Sequence, residues 1–208
     1  MYLPLVDSLR CPKVHAETWL VAQIERIDDR DIVEGVLGCP ECLAEYAIHD
    51  GVVRFDERAH RAPFVAPAEE DALRLAAALD LTDARMTAIL HGRWGACAPI
   101  IAGLSPAHLL LVNPPEGIAS GDGVSIIVGD DVRIASASMS AAAFDATATP
   151  SQIAAFRAAV KGGGRFVGPS DVPIPGELTE LARDESIWIG QVPAGMISQP
   201  VMPTRRSK

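Results

Sequence analysis

Arg85-Met-Thr-Ala-Ile-Leu-His-Gly-Arg-Trp-Gly95 is the stretch that decides how the chain is read. Met86 to Leu90 has the apolar run of a short strand buried on both faces. His91 to Gly95 is a glycine-bearing turn, and a helix is expected from about Ala96 to Leu104. In an open α/β sheet the turn after the first strand is where a nucleotide-like ligand sits. Gly92 and Gly95 would let backbone approach such a ligand, whereas Arg93 and Trp94 put bulk between them.

Working outward, strands and helices alternate. His108 to Asn113 and Val124 to Gly129 read as the second and third strands. The Gly/Pro-rich run Pro114 to Gly123 between them is too short for a normal crossover helix. Ala141 to Asp145 is a fourth strand. Thr149, Pro150 and Gln152 then supply the N-cap, first position and capping-box partner of a helix that Lys161-Gly-Gly-Gly164 stops. Arg165 to Gly168 is a fifth strand, Leu178 to Arg183 a short helix, and Ser186 to Val192 a last strand. Upstream, Glu69 to Leu79 is a helix with acids in its first turn, its inner face set by Leu73, Ala76, Ala77 and Leu79 or Asp80. This order predicts an α/β fold, a doubly wound, mostly parallel Rossmann-like sheet over residues 69–194.

The first 58 residues follow a different pattern. Cys11-Pro12 and Cys39-Pro40 each open a knuckle, a tight turn whose amides can face a thiolate, and Cys39-x-x-Cys42 has the spacing of a zinc-ligand pair. The first knuckle has Val14 at its partner position, with His15 one residue further on. Glu45 to Phe55 reads as a hairpin turning at Asp50-Gly51. Thr18 to Ile27 alternates, placing Trp19, Val21 and Ile24 on the core side. These residues predict a small N-terminal metal-knuckle module over 1–58, with Cys11, His15, Cys39 and Cys42 as a structural zinc site. A metal-free ribbon with three small thiols is the alternative. Residues 59–68, with prolines and no periodicity, read as a linker, and 195–208 as an extended or flexible tail.

With 27 acidic against 18 basic residues the chain carries a formal charge of −9, which disfavours nucleic acid as a partner. The absence of a long apolar run and of a signal-peptide pattern predicts a cytoplasmic protein with no membrane span. One basic cluster, Arg205-Arg206-Ser207-Lys208, could touch an acidic surface. Cys97 stands alone, and neither His91 nor His108 has an acid, Ser or Cys partner in view.

At Leu9, Cys11, Pro12, Cys39, Pro40, Cys42, Tyr46, Ile48, Asp50, Gly51 and Val52 the chain resembles the small zinc-ribbon proteins that activate tRNA and protein methyltransferases. The departure is Val14, where that family has a second cysteine. Residues 69–192 resemble class I S-adenosylmethionine-dependent methyltransferases. The likeness rests on Val128-Gly-Asp130, on Phe144-Asp145, and on Ala158-Ala-Val-Lys-Gly-Gly-Gly-Arg-Phe-Val167. The resemblance implies a cofactor site built from Gly92, Gly95, an acid at the end of the second strand and an acid at Asp130. Here the second strand ends in Asn113, a weaker ribose acceptor. Taken together, these residues lead us to expect a methyltransferase-like protein that binds zinc but not S-adenosylmethionine. It would serve as a structural or interaction subunit of a larger protein assembly. The alternative is an active methyltransferase with a divergent cofactor loop.

Overall fold

The computed structural model describes residues 1–56, 59 and 61–194. The expected tail, 195–208, lies outside the described residues.

The N-terminal residues form a one-turn helix α1 (Leu3–Val6), then β1 (Leu9–Arg10), β2 (Val21–Asp28), β3 (Asp31–Gly38), β4 (Glu45–His49) and β5 (Val52–Arg54). As expected, Asp50-Gly51 turns β4 into β5, with positive φ at both residues. Next come α2 (Glu69–Leu79), β6 (Thr87–His91), a 3-10 turn (Gly92–Cys97), α3 (Ala98–Leu104), β7 (His108–Val112) and β8 (Val124–Val128). The described residues finish with β9 (Arg133–Ile134), β10 (Met139–Ala143), α4 (Pro150–Ala159), β11 (Val160–Pro169), β12 (Thr179–Arg183) and β13 (Ile187–Gln191).

Eleven strands make one sheet in the order β12-β13-β11-β10-β6-β7-β8-β5-β4-β3-β2, while β1 pairs with β9 beside it. The six inner strands β11, β10, β6, β7, β8 and β5 run parallel, and antiparallel pairs flank them on both sides. This is the expected α/β class. The ribbon residues join the sheet directly, because β5 pairs in parallel with β8 through Val52↔Ile126, Val53↔Ile127 and Arg54↔Val128. The hairpin edge that a free-standing ribbon would expose is thus consumed within the chain.

Alternation in the inner strands separates two apolar clusters. Ile89, Leu110, Val112 and Ile127 face the ribbon core, which includes Leu9, Leu37, Ile48 and Val53, and they share that side with Phe156 of α4. Ala88, Leu90, Leu109, Leu111 and Ile126 face α2 and α3. No helix occupies 114–123, as the sequence indicated. The α4 cap is a full capping box between Thr149 and Gln152, again as read.

Four local readings are corrected. Residues 178–183 do not form a helix. Thr179–Arg183 is a solvent-exposed strand held by pairing with β13, a tertiary contact that overrides the helical propensity of Glu, Leu and Ala. Trp19, Val21 and Ile24 point to solvent, at 62%, 61% and 41% exposure, while Leu20 is buried; β2 is the outermost strand, exposed along nearly its whole length and irregular in register after Ile24, so it presents no buried face for alternate residues to fill. In α2 the inner residues are Ala72, Leu75, Ala78 and Leu79, and Leu73 is exposed. Finally, Lys161-Gly-Gly-Gly164 already belongs to β11, which starts at Val160 directly off α4.

Candidate functional site

Two places gather chemistry-bearing residues: the knuckle cluster, and the crevice where strand order reverses.

At the knuckles, Cys39 closes β3, and the next turn is tied by Leu43 N–H donating to Cys39 O (3.0 Å) and Cys39 N–H to Ala44 O (2.9 Å). Leu43 takes φ +58 to make that turn. Cys11 follows β1, its N–H donating to Thr18 O at 3.0 Å. These two turns bring the donor atoms of Cys11, His15, Cys39 and Cys42 within 4.8 Å of one another. Val14 is wholly exposed, so the chain turns its side chain outward and presents His15 in its stead.

The distances allow a fit test. A tetrahedral zinc with Zn–S of about 2.3 Å and Zn–N of about 2.05 Å sets S···S edges of about 3.8 Å and S···N edges of about 3.5 Å. Cys11 Sγ lies 3.7 Å from Cys42 Sγ, and Cys39 Sγ lies 3.5 Å from His15 Nε2. A disulfide needs about 2.05 Å, and all the thiols are free. The His15 Nδ1 bonds to Ala16 O at 2.6 Å and sits 3.3 Å from Glu41 Oε2, which leaves Nε2 as the ligating nitrogen. Burial raises the Cys11 pKa. Contacts from the Tyr46 hydroxyl, the Lys13 backbone and His15 outweigh burial and bring it down to about 6. The Cys11 contact is the main cause that raises His15 to about 9. The residues present fit a Cys3His zinc site.

The crevice lies at the C-terminal ends of the parallel strands. From β6 the chain proceeds to β7 and β8 on one side and returns through β10 on the other, so β6 and β10 bracket the topological switch point. A cavity of about 1300 Å³ opens there, lined among others by His91, Gly92, Asn113, Asp130 and Asp145. The structure therefore brings three of the four expected cofactor positions, Gly92, Asn113 and Asp130, to one cavity. The fourth, Gly95, packs behind it.

Each of these residues has local work to do. Gly92 has φ +60, and a Cβ there would stand 2.2 Å from Asp145 Oδ2. A Cβ on Gly95 would stand 2.5 Å from Pro114 Cβ. The close approach that both glycines permit is thus approach by protein atoms. Asn113, at φ +50, accepts from Gly129 N–H at 2.8 Å and donates from Nδ2 to Gly129 O at 2.9 Å, so both ends of its amide link the tips of β7 and β8. Trp94 is buried and its indole N–H donates to Phe144 O at 3.1 Å. Asp130 is exposed at the cavity mouth.

Asp145, at the end of the strand beside β6, is the residue sequence reading undervalued. Its Oδ2 accepts from Arg93 N–H (2.6 Å) and its Oδ1 from the Thr147 N–H (3.0 Å) and hydroxyl. His91 Nδ1 lies 3.3 Å from Oδ1, out of line for a hydrogen bond, and is buried without another partner. Burial opposes ionisation of Asp145, yet His91, Thr147 and the Arg93 amide hold its pKa well below the usual carboxylate range. His91 therefore does have an acid partner. The adjacency of β6 and β10 in a doubly wound sheet was the signal that could have paired them. Arg61 was also missed. From the linker its guanidinium donates to Pro114 O, Pro115 O and Ile118 O, pinning the loop that replaces the crossover helix. The same expectation is corrected for His108, which does have a serine partner: it bonds Ser125 Oγ at 2.9 Å, brought beside it by the pairing of β7 with β8, and stacks on Tyr2, and burial lowers it to about 4. Burial likewise raises Cys97 to about 11, which suits a core thiol and not a nucleophile.

No protein-family model and no curated protein matches the chain. Solved structures similar to it include a geranyl diphosphate C-methyltransferase from Streptomyces coelicolor, at 14% identity and TM-score 0.40 over 48% of this chain and 43% of that one. A complex of the Haloferax volcanii Trm112 methyltransferase activator with a putative methyltransferase matches at 15% identity and TM-score 0.39, over 47% of this chain and 50% of that one. An S-adenosylmethionine-dependent O-methyltransferase from Thermotoga maritima matches at 14% identity and TM-score 0.43, over 71% and 69%. The matched part spans half or less of the first two. Likeness at this level carries no argument about ligands or activity. The fold rests on the strand order given above, and no described helix is long and apolar enough to cross a membrane.

Proposed function

We propose that the chain is a methyltransferase-like protein that has kept the sheet and a structural zinc site and does not transfer methyl groups. It would act as a non-catalytic subunit through protein contacts. The observation that carries this reading is the filling of the turn after β6: the Asp145 carboxylate sits against Gly92, and Pro114 sits against Gly95. A nucleotide-like ligand needs that backbone bare. The tie between Asn113 and Gly129 supports the same conclusion, since it removes a ribose acceptor from the site.

The zinc, when bound, would cross-link β1 to the end of β3 through Cys11, His15, Cys39 and Cys42. It would stabilise the outer third of the sheet. No open coordination position with a base beside it is present in that set, so the role is structural. The partner-facing surface would be the β2 edge, where Trp19, Val21, Ile24 and Ile27 stand exposed beside Leu3.

The rival reading is an active S-adenosylmethionine-dependent methyltransferase, and the cavity of about 1300 Å³ at the switch point favours it. Titration calorimetry of the zinc-loaded protein with S-adenosylmethionine separates the two. No heat at ligand concentrations up to about a millimolar is expected. A micromolar Kd would overturn the non-catalytic reading.

A further inference from the structure

The crevice at the switch point holds two polar side chains whose hydrogen bonding the fold leaves unfinished. His91 and Gln152 both line the cavity of about 1300 Å³, and they are only 2% and 4% exposed. Gln152 Oε1 accepts from the Thr149 N–H at 2.9 Å and from its hydroxyl at 3.2 Å. The capping box thus fixes the orientation of the amide and leaves Nε2, with two hydrogens to donate, outside it. On the other side, the ionised Asp145 carboxylate lies 3.3 Å from His91 Nδ1. It favours the proton on that nitrogen, so His91 Nε2 presents a lone pair. Among the described residues neither Nε2 has a hydrogen-bond partner, and neither is sealed in protein, so both open on the cavity that their residues line.

The two groups share one part of the crevice. Gln152 lies one helical turn before Phe156 on the same face of α4, and Phe156 packs on His91 with ring centroids 5.6 Å apart. A donor and an acceptor converging on a large cavity orient a ligand. Charge narrows its class. Asp56, Asp130, Asp131 and Asp145 outnumber Arg93 and Arg133 in the lining, and Arg133 already pairs with Asp131 at 3.5 Å, which works against an anion. A simple cation has no acceptor to offer Gln152 Nε2. A flat, uncharged group with N–H beside C=O satisfies both residues, and Ala62, Pro63, Val65 and Pro115 give the rest of it an apolar wall.

We propose that the crevice binds a small uncharged ligand through a planar amide edge, its C=O accepting from Gln152 Nε2 and its N–H donating to His91 Nε2. Such a ligand needs no bare glycine backbone, so the inference does not rest on whether the protein transfers methyl groups.

Benzamide and uracil, which share this edge, are the probes, followed through the side-chain nitrogen NMR signals of Gln152 and His91 in the full zinc-loaded chain. At least one should bind saturably with a Kd of about a millimolar or below and shift both signals. The tighter of the two tells a primary amide from a lactam. Benzoate, which is charged and lacks the N–H, should bind roughly tenfold more weakly than benzamide. Gln152→Glu keeps the acceptor that the capping box needs and removes the donor, so it should weaken binding about tenfold while zinc content stays at the native level. His91→Phe removes the acceptor and keeps a flat ring against Phe156, with the same expected loss. No saturable shift with either probe up to about 10 mM, benzoate binding as tightly as benzamide, or undiminished binding in either variant would each overturn the proposal.

Discussion

The knuckle cluster and the turn after β6 are both built around residues that sequence patterns assign to ligand binding, and they end differently. At the knuckles a required residue is missing, Val14 standing where a cysteine is expected, yet the geometry recovers it through His15 and yields tetrahedral edges of 3.7 and 3.5 Å. At the β6 turn the two glycines survive, yet the space they create is filled by Asp145 and Pro114. The lesson is that a ligand type records less than what its neighbours do. A donor set can tolerate a shift of one residue because four atoms need only converge. A bare backbone cannot tolerate a neighbour that moves in.

The largest effect should come from the metal. Chelation, or Cys39→Ser, should lower unfolding free energy by on the order of 4 kcal/mol, because the ligands join the turn after β1 to the turn after β3. Denaturant titration with and without chelator reads this. His15→Ala should bring zinc content below one per chain, and unchanged content would leave the cluster with three ligands and break the comparison. Next is Gly92→Ala. Positive φ and the contact with Asp145 together should cost roughly 2–4 kcal/mol, against about 1 kcal/mol for Gly117→Ala, where φ is +79 but nothing lies within 4 Å. Equal costs at the two positions would mean that Asp145 yields and the cradle is open.

Much of this was legible in the sequence. The apolar runs of β6, β7 and β8 are buried on both faces and could be read as strands without knowing their neighbours. The α4 cap is a local hydrogen-bond pattern, and the Asp50-Gly51 hairpin a local turn. What stayed hidden depends on distance in sequence. Whether Trp19 or Leu20 faces inward depends on a bridge to β1, Arg10 opposite Trp19, and β12 exists only because β13 accepts it. The partnership of His91 with Asp145 spans 54 positions and needs the order of the sheet. The junction of β5 with β8, which merges ribbon and Rossmann-like sheet, leaves no mark in either segment alone.

Asp145→Asn probes the filling from the other side. The folded-state pKa of Asp145 lies below its unfolded value near 4, so its contribution is present above about pH 4 and lost as pH falls through the depressed value. The substitution should cost about 2 kcal/mol at pH 7, less at pH 3, and flatten the acid limb of the stability curve. A variant as stable as the native chain at neutral pH would show that the carboxylate is not what holds the turn closed.

The smallest effect is expected from Asn113→Asp, which restores the acid the methyltransferase resemblance calls for. The amide now donates to Gly129 O and accepts from Gly129 N–H. A carboxylate keeps the second bond and loses the first, setting a negative oxygen near a carbonyl, for a cost of about 1 kcal/mol. If the turn after β6 is closed by Asp145 and Pro114, an acid at 113 has no ribose to meet, and calorimetry with S-adenosylmethionine should stay silent. Binding gained by this single change would mean that the cavity beside Asp130 was one residue short of a working site. The contrast between the recovered zinc ligands and the filled turn would then fail.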